Sequence, residues 1–240
     1  DLWVSYSVNK EDMWISRIPV PVEINASAHA DDDFSKNKSI AELTDWNIYS
    51  PVWAPVSLED QWLKLQDKDP FDYAKVERKI PASKELKVSF DLKAGQNNKG
   101  TLQIEFLDEN GIACSRMELT DDGIFRLKGG SRFANMMKYE AGKVYHVEAV
   151  LSTVDRNIQV YVDGKRVGLR MFYAPVAAVE RIVFRTGVPR TFPTVDTPAD
   201  QTYDLPNAGA QDPLAEYGIA NVKTSSTDKD ASSAFLKYAD

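Results

Sequence analysis

The chain has 240 residues, a hydrophobic fraction of 43% and a formal net charge of -7, enough for one large sandwich core or a sandwich with a small appendage. No apolar run approaches the length of a bilayer-spanning helix. Charges of both signs are interspersed, so no basic stripe is available to neutralise phosphates, which argues against a nucleic-acid partner. The one cysteine, Cys114, cannot close an internal disulfide or share a metal with a second thiol, and its place in a strand pattern marks it as a small packed residue.

Residues 2–8 and 13–18 alternate as half-buried strands do, around the polar turn Asn9-Lys10-Glu11-Asp12. An isolated two-stranded hairpin is marginal in water, so residues 1–22 are expected to lean on something else and to be the end of an upstream domain. Pro19-Val20-Pro21-Val22 closes the hairpin as an extended strut, and residues 23–45, polar and without an apolar period, read as a linker. Trp46, Trp53 and Trp62 then open the main domain, expected over residues 46–224.

From Tyr73 onward the period of two is clear. In 85–92, Leu86, Val88, Phe90 and Leu92 oppose Lys87, Ser89 and Asp91, and in 101–107, Leu102, Ile104 and Phe106 oppose Gln103 and Glu105. Further strands are expected at 112–119, 124–128, 144–152, 157–162, 181–186 and 217–224, joined by turns such as Asp121-Asp122-Gly123 and Asp163-Gly164. Many short strands with almost no helical period predict an all-β jelly-roll sandwich of antiparallel strands with an N-terminal hairpin. The stretch 188–216 carries Pro189, Pro193, Pro198, Pro206 and Pro213 without any period, a long connection expected to wall a groove. Residues 225–240 read as a polar tail.

The segment 143–164, KVYHVEAVLSTVDRNIQVYVDG, resembles a hairpin of concanavalin-like and laminin-G-type jelly rolls, and it supports the same fold without implying any catalysis. A second resemblance is carried by Trp3-Val4-Ser5-Tyr6-Ser7, by 9–17, and by Asp45-Trp46-Asn47-Ile48-Tyr49-Ser50-Pro51. These look like the last hairpin of a sialidase-like (BNR-type) propeller and the start of the jelly roll that follows it in secreted bacterial proteins. The resemblance implies an upstream β-propeller that holds any glycosidase or lyase chemistry, a secreted or periplasmic location, and a companion role for this chain.

Aromatic rings offer stacking surfaces to the C–H faces of sugars, while Asn, Asp and Arg orient them by hydrogen bonds. Trp46, Trp53, Trp62 and Tyr73 are the candidate platforms, although tryptophans in a sandwich more often anchor the core. Arg181 and Arg185 share one face of a strand and Arg190 follows it, an arrangement that suits an acidic glycan or simply a wet face. Calcium is the one cofactor the fold class admits, with Asp31-Asp32-Asp33 or Asp67 and Asp69 as oxygen donors; such clusters are more often solvated loops. The pair Glu105 and Glu109 does not match the alternating glutamates that flank a glycosidic bond in sandwich glucanases. His146 shares its face with Glu148, which would either raise its pKa or pair with it at the surface, and a structural or solvent-facing histidine is the expectation.

Three functional readings follow: a non-catalytic, lectin-like module of a glycan-degrading protein; part of a glycoside hydrolase or polysaccharide lyase, its site on the sandwich or shared with a propeller; or a scaffold that docks a neighbouring domain. The lack of a catalytic pair favours the first.

Overall fold

The computed structural model describes residues 1–8, 12–18, 20, 27–187 and 210–227. The proline-bearing stretch 188–209 with Arg190, and the tail beyond Thr227, lie outside the described residues. Two antiparallel sheets pack face to face, and no α-helix occurs among the described residues. The strands, in chain order, are β1 (Leu2–Val8), β2 (Asp12–Ile18), β3 (Asp31–Asp32), β4 (Trp46–Tyr49), β5 (Val56–Glu59), β6 (Trp62–Asp67), β7 (Lys75–Ser83), β8 (Glu85–Ala94) and β9 (Leu102–Leu107). They continue as β10 (Ala113–Leu119), β11 (Ile124–Gly129), β12 (Arg132–Lys138), β13 (Val144–Ser152), β14 (Asn157–Val162), β15 (Lys165–Met171), β16 (Val179–Thr186) and β17 (Ala215–Ser226).

One sheet has seven strands in the order β12-β11-β10-β9-β16-β7-β4. The other has eight: β15-β14-β13-β8-β17-β6-β5, with β3 paired to β17. Alternation decides which side chains meet between them. Leu86, Val88, Phe90, Leu92 and Ala94 of β8 and Tyr145, Val147, Ala149 and Leu151 of β13 face Leu102, Ile104 and Phe106 of β9 and Ile182 and Phe184 of β16 in one buried cluster. The rings of Phe90 and Phe184 meet edge to face at 5.0 Å between the sheets. Cys114 is buried in the same core, and burial pushes its thiol up to about 12, so it packs as an apolar side chain.

The segment expected as a linker joins this core. Ala30, Phe34 and Leu43 are buried with it, and Phe34 adopts a left-handed backbone with φ 58°. Asp32 fastens the segment to the seven-stranded sheet: its Oδ2 accepts from Trp46 Nε1 at 3.0 Å and from Arg78 Nε at 2.8 Å. A short 3-10 helix (Ile40–Glu42) leads from there into β4.

Strands β12 and β15, which the hydrophobic pattern does not announce, are the edges of the two sheets. An edge strand is covered on fewer sides, so its alternation is weak and its residues are mostly half-buried or exposed. The two edges approach each other at Gly168, where a Cβ would come within 2.7 Å of Met136 Sδ. Strand β17 carries a bulge between Ala220 and Lys223, with Asn221 at φ 51°. The extra residue lets the strand pair with β6 in its first half and β3 in its second.

The hairpin β1–β2 forms a separate two-stranded sheet, paired from Leu2 with Ile18 to Val8 with Asp12. It leaves Leu2, Trp3, Val4, Tyr6, Met13 and Ile15 exposed.

Candidate functional site

Polar side chains gather on the outer face of the seven-stranded sheet, because in β9, β16 and β7 the residues that alternate with the core point there. The register places them in rows. One row runs Arg126, Glu118, Gln103, Arg185, Lys75 and Tyr49 from β11 to β4. The next runs Lys128, Arg116, Glu105, Val183, Glu77 and Asn47, and the third brings Leu107, Arg181 and Lys79 side by side. Neighbours in such rows lie within direct side-chain contact.

Ion pairs knit the face together. Arg116 Nε donates to Glu105 Oε1 at 2.6 Å and Arg126 Nη2 to Glu118 Oε1 at 2.6 Å. Glu77 accepts from Lys75 at 3.0 Å and lies 3.5 Å from Arg181 Nη1, whose Nη2 also donates to the backbone carbonyl of Glu109. Lysines and arginines outnumber the three carboxylates Glu77, Glu105 and Glu118, so the face is cationic. Aromatic rings flank it: the Arg185 guanidinium lies 4.6 Å from the centre of Tyr73, which packs on Tyr49, and Lys128 lies 4.4 Å from Tyr173.

At the middle of this grid is Gln103, fully buried, with neither its amide oxygen nor its nitrogen bonded to protein among the described residues. Arg126 Nε, Arg181 Nε and the Tyr173 hydroxyl are likewise buried without a hydrogen-bond partner among the described residues. An unmet buried polar group costs about 1–3 kcal/mol. Several such groups gather on one sheet face among the described residues. Gln103 carries no sequence signal beyond being the polar alternate of a strand; only the register shows it between Glu118 and Arg185.

The candidate platforms separate in space. Trp46 is a core residue, 7% exposed, between Phe34 and Phe184; a ring enclosed on both sides has no face to offer a sugar. Trp53 is half-buried in the turn between β4 and β5, its carbonyl accepting from Lys68. Trp62 is half-buried on the outer face of the eight-stranded sheet, opposite to Tyr73, Arg181 and Arg185. Arg190 lies outside the described residues.

The acidic runs are engaged by protein groups. Asp31 pairs with Lys223 at 2.9 Å, Asp32 holds Arg78 and Trp46, and Asp33 caps its own turn by accepting from Ser35. Asp67 accepts from the Asp69 amide and Asp69 from those of Phe71 and Asp72. Among the described residues no three His, Cys, Asp or Glu side chains converge to hold a metal ion. His146 Nδ1 lies 2.8 Å from Asp91, not beside Glu148, which bonds Lys87 instead.

Comparison with known proteins bears on this geometry. The family described as "Sialidase-like, CBM domain" matches residues 46–201. No curated protein matches the chain. A solved structure described as a sialidase is 89% identical over 97% of this chain, with a TM-score of 0.87, and the chain spans 21% of that protein's length. Two more distant structures share the fold: a Crh5 transglycosylase (TM-score 0.59, 12% identity, 85% of each chain) and the carbohydrate recognition domain of Emp47p (TM-score 0.52, 10% identity, 84% of this chain and 98% of that one).

Proposed function

The chain belongs to the sialidase-like carbohydrate-binding module (CBM) family, and on that premise we propose that it is a non-catalytic, lectin-like module that binds an acidic glycan on the outer face of the seven-stranded sheet. The observation that carries the reading is the charge of that face, on which seven lysines and arginines surround three glutamates and the Arg185 guanidinium lies 4.6 Å from the centre of the Tyr73 ring. Arg185, amid the other cations of that face, supplies a guanidinium that suits a carboxylate, and Tyr73 is the stacking ring beside it.

A glycan array carrying uronic-acid and sialylated oligosaccharides beside neutral ones, probed with and without calcium, tests it. Binding is expected on carboxylated glycans, weakening as salt rises and falling at least about tenfold in Arg185→Ala and in Tyr73→Ala. Hits confined to neutral glycans, or hits that both variants retain in full, would falsify this assignment. A dependence on calcium would bring the acidic runs back as ligands.

The reading extends to the longer protein. We infer that the module serves a secreted glycan-degrading enzyme and that β1–β2 packs against an upstream propeller. The apolar side chains exposed on the hairpin support this, being more than a marginal two-stranded sheet would leave to water, as does the sialidase of which the chain matches about a fifth.

A further inference from the structure

The other sheet bears a second feature. On its outer face a cleft of about 230 Å³ is floored by Gly218 and bounded by Glu59, Trp62, Lys64, Lys93 and Glu216. The register explains its shape. Gly218 lies between Lys64 of β6 and Lys93 of β8, so a strand position without a side chain is flanked by two long ones. Trp62, one turn of the pleat away on β6, leans its six-membered ring over that gap; a Cβ at position 218 would come within 2.9 Å of Cε3. Glycine is therefore what lets the indole settle against the strand.

The polar rim is held in place. Lys64 Nζ bonds Glu59 at 2.6 Å, and Glu216 accepts from Gln66 at 2.7 Å while its amide is bound by Gln96. Carboxylates and ammonium groups are nearly balanced here, unlike on the seven-stranded face, so nothing in the cleft selects for a charged ligand. The cleft is smaller than those that enclose drug-sized molecules, and it sets one aromatic ring beside fixed carboxylate acceptors and ammonium donors.

We propose that this cleft is a second glycan subsite, which takes a single neutral pyranose unit with an apolar C–H face against Trp62 and hydroxyls bonded to Glu216 and Lys93. The two sheets then hold two sites of different charge preference on opposite sides of one rigid sandwich, so that two glycan segments can be engaged together. This does not depend on the acidic-glycan site.

The test is a heteronuclear NMR titration of the full chain with methyl β-D-galactopyranoside and methyl β-D-glucopyranoside, with D-glucuronate as the charged control. A saturable shift of the Trp62 indole N–H and the Gly218 amide is expected with a neutral glycoside. Affinity is expected to fall about tenfold in Trp62→Ala and to weaken in Lys93→Ala. Lys93 is exposed, so its variant decides the matter even where Trp62→Ala fails to fold. No shift at Trp62 and Gly218 with either glycoside, a response to glucuronate alone, or unchanged affinity in Lys93→Ala would each overturn the proposal, and none of these outcomes bears on Tyr73 and Arg185.

Discussion

Asp67 closes strand β6 beside Gly187, with 8% of its surface exposed. Burial pushes its carboxyl up to about 6, and the nearby Asp69 and Asp212 add to this, while hydrogen bonds from Thr186 and the Asp69 amide oppose it. A carboxyl whose folded pKa lies above its unfolded value favours folding while protonated. Its contribution is complete below the ordinary aspartate range and is lost as pH rises through about 6. The whole effect is about 2–3 kcal/mol. Asp67→Asn is therefore expected to melt with the parent chain at about pH 3.5 and several degrees above it at about pH 7; parallel melting curves across that range would remove the argument. His146 carries a different lesson at this scale. Its neighbour along the strand, Glu148, was legible as a partner, but the bond goes across the sheet to Asp91, which only the pairing of β13 with β8 could reveal.

Among the elements, the segment around β3 depends most on one contact set. Asp32 bonds a buried guanidinium, Arg78, and the indole of a core tryptophan, and so ties residues 30–34 to β4 and β7. Arg78 is 2% exposed and has a second carboxylate, Asp45, at 3.5 Å, so removing Asp32 takes away the nearer counter-charge of a buried cation at a cost of at most about 3–5 kcal/mol. Asp32→Ala is expected to lose about that much in urea denaturation, with Asp33→Ala, whose carboxylate caps only its own turn, losing far less. Equal losses would place the stabilisation in the turn instead. The sequence of this segment read as a linker because Phe34 and Leu43 stand too far apart to make a period; each is buried singly, against strands distant in the chain. The edge strands β12 and β15 escaped notice for the complementary reason, since half-covered positions do not force alternation.

At the level of the whole molecule, one core joins both sheets and takes in Ala30 and Phe34 from the N-terminal side and Tyr217, Ile219 and Val222 of the last strand. Such a core unfolds as a unit. Far-UV circular dichroism and tryptophan fluorescence, the latter weighted by the enclosed Trp46, are expected to give one coincident urea transition, and removing residues 1–22 is expected to leave its midpoint in place. Separate transitions would show that the sandwich divides, and a shifted midpoint would show that the hairpin bears on it.

The all-β class, the inward faces of β8, β9, β13 and β14 and the Asp163-Gly164 turn, with φ of 49° and 78°, follow from the sequence by itself. Alternation and turn chemistry act over a few residues, so a single strand with its flanks already contains them. The tertiary structure alone decided that Trp46 is enclosed while Trp62 is left beside a cleft, that Arg181 and Arg185 share a face with Glu77, Glu105 and Glu118, and that Gln103 is buried without a partner among the described residues. Those facts depend on which strands become neighbours, and strand order is set by the energy of closing one common core over the whole chain, a quantity that no local stretch of residues carries.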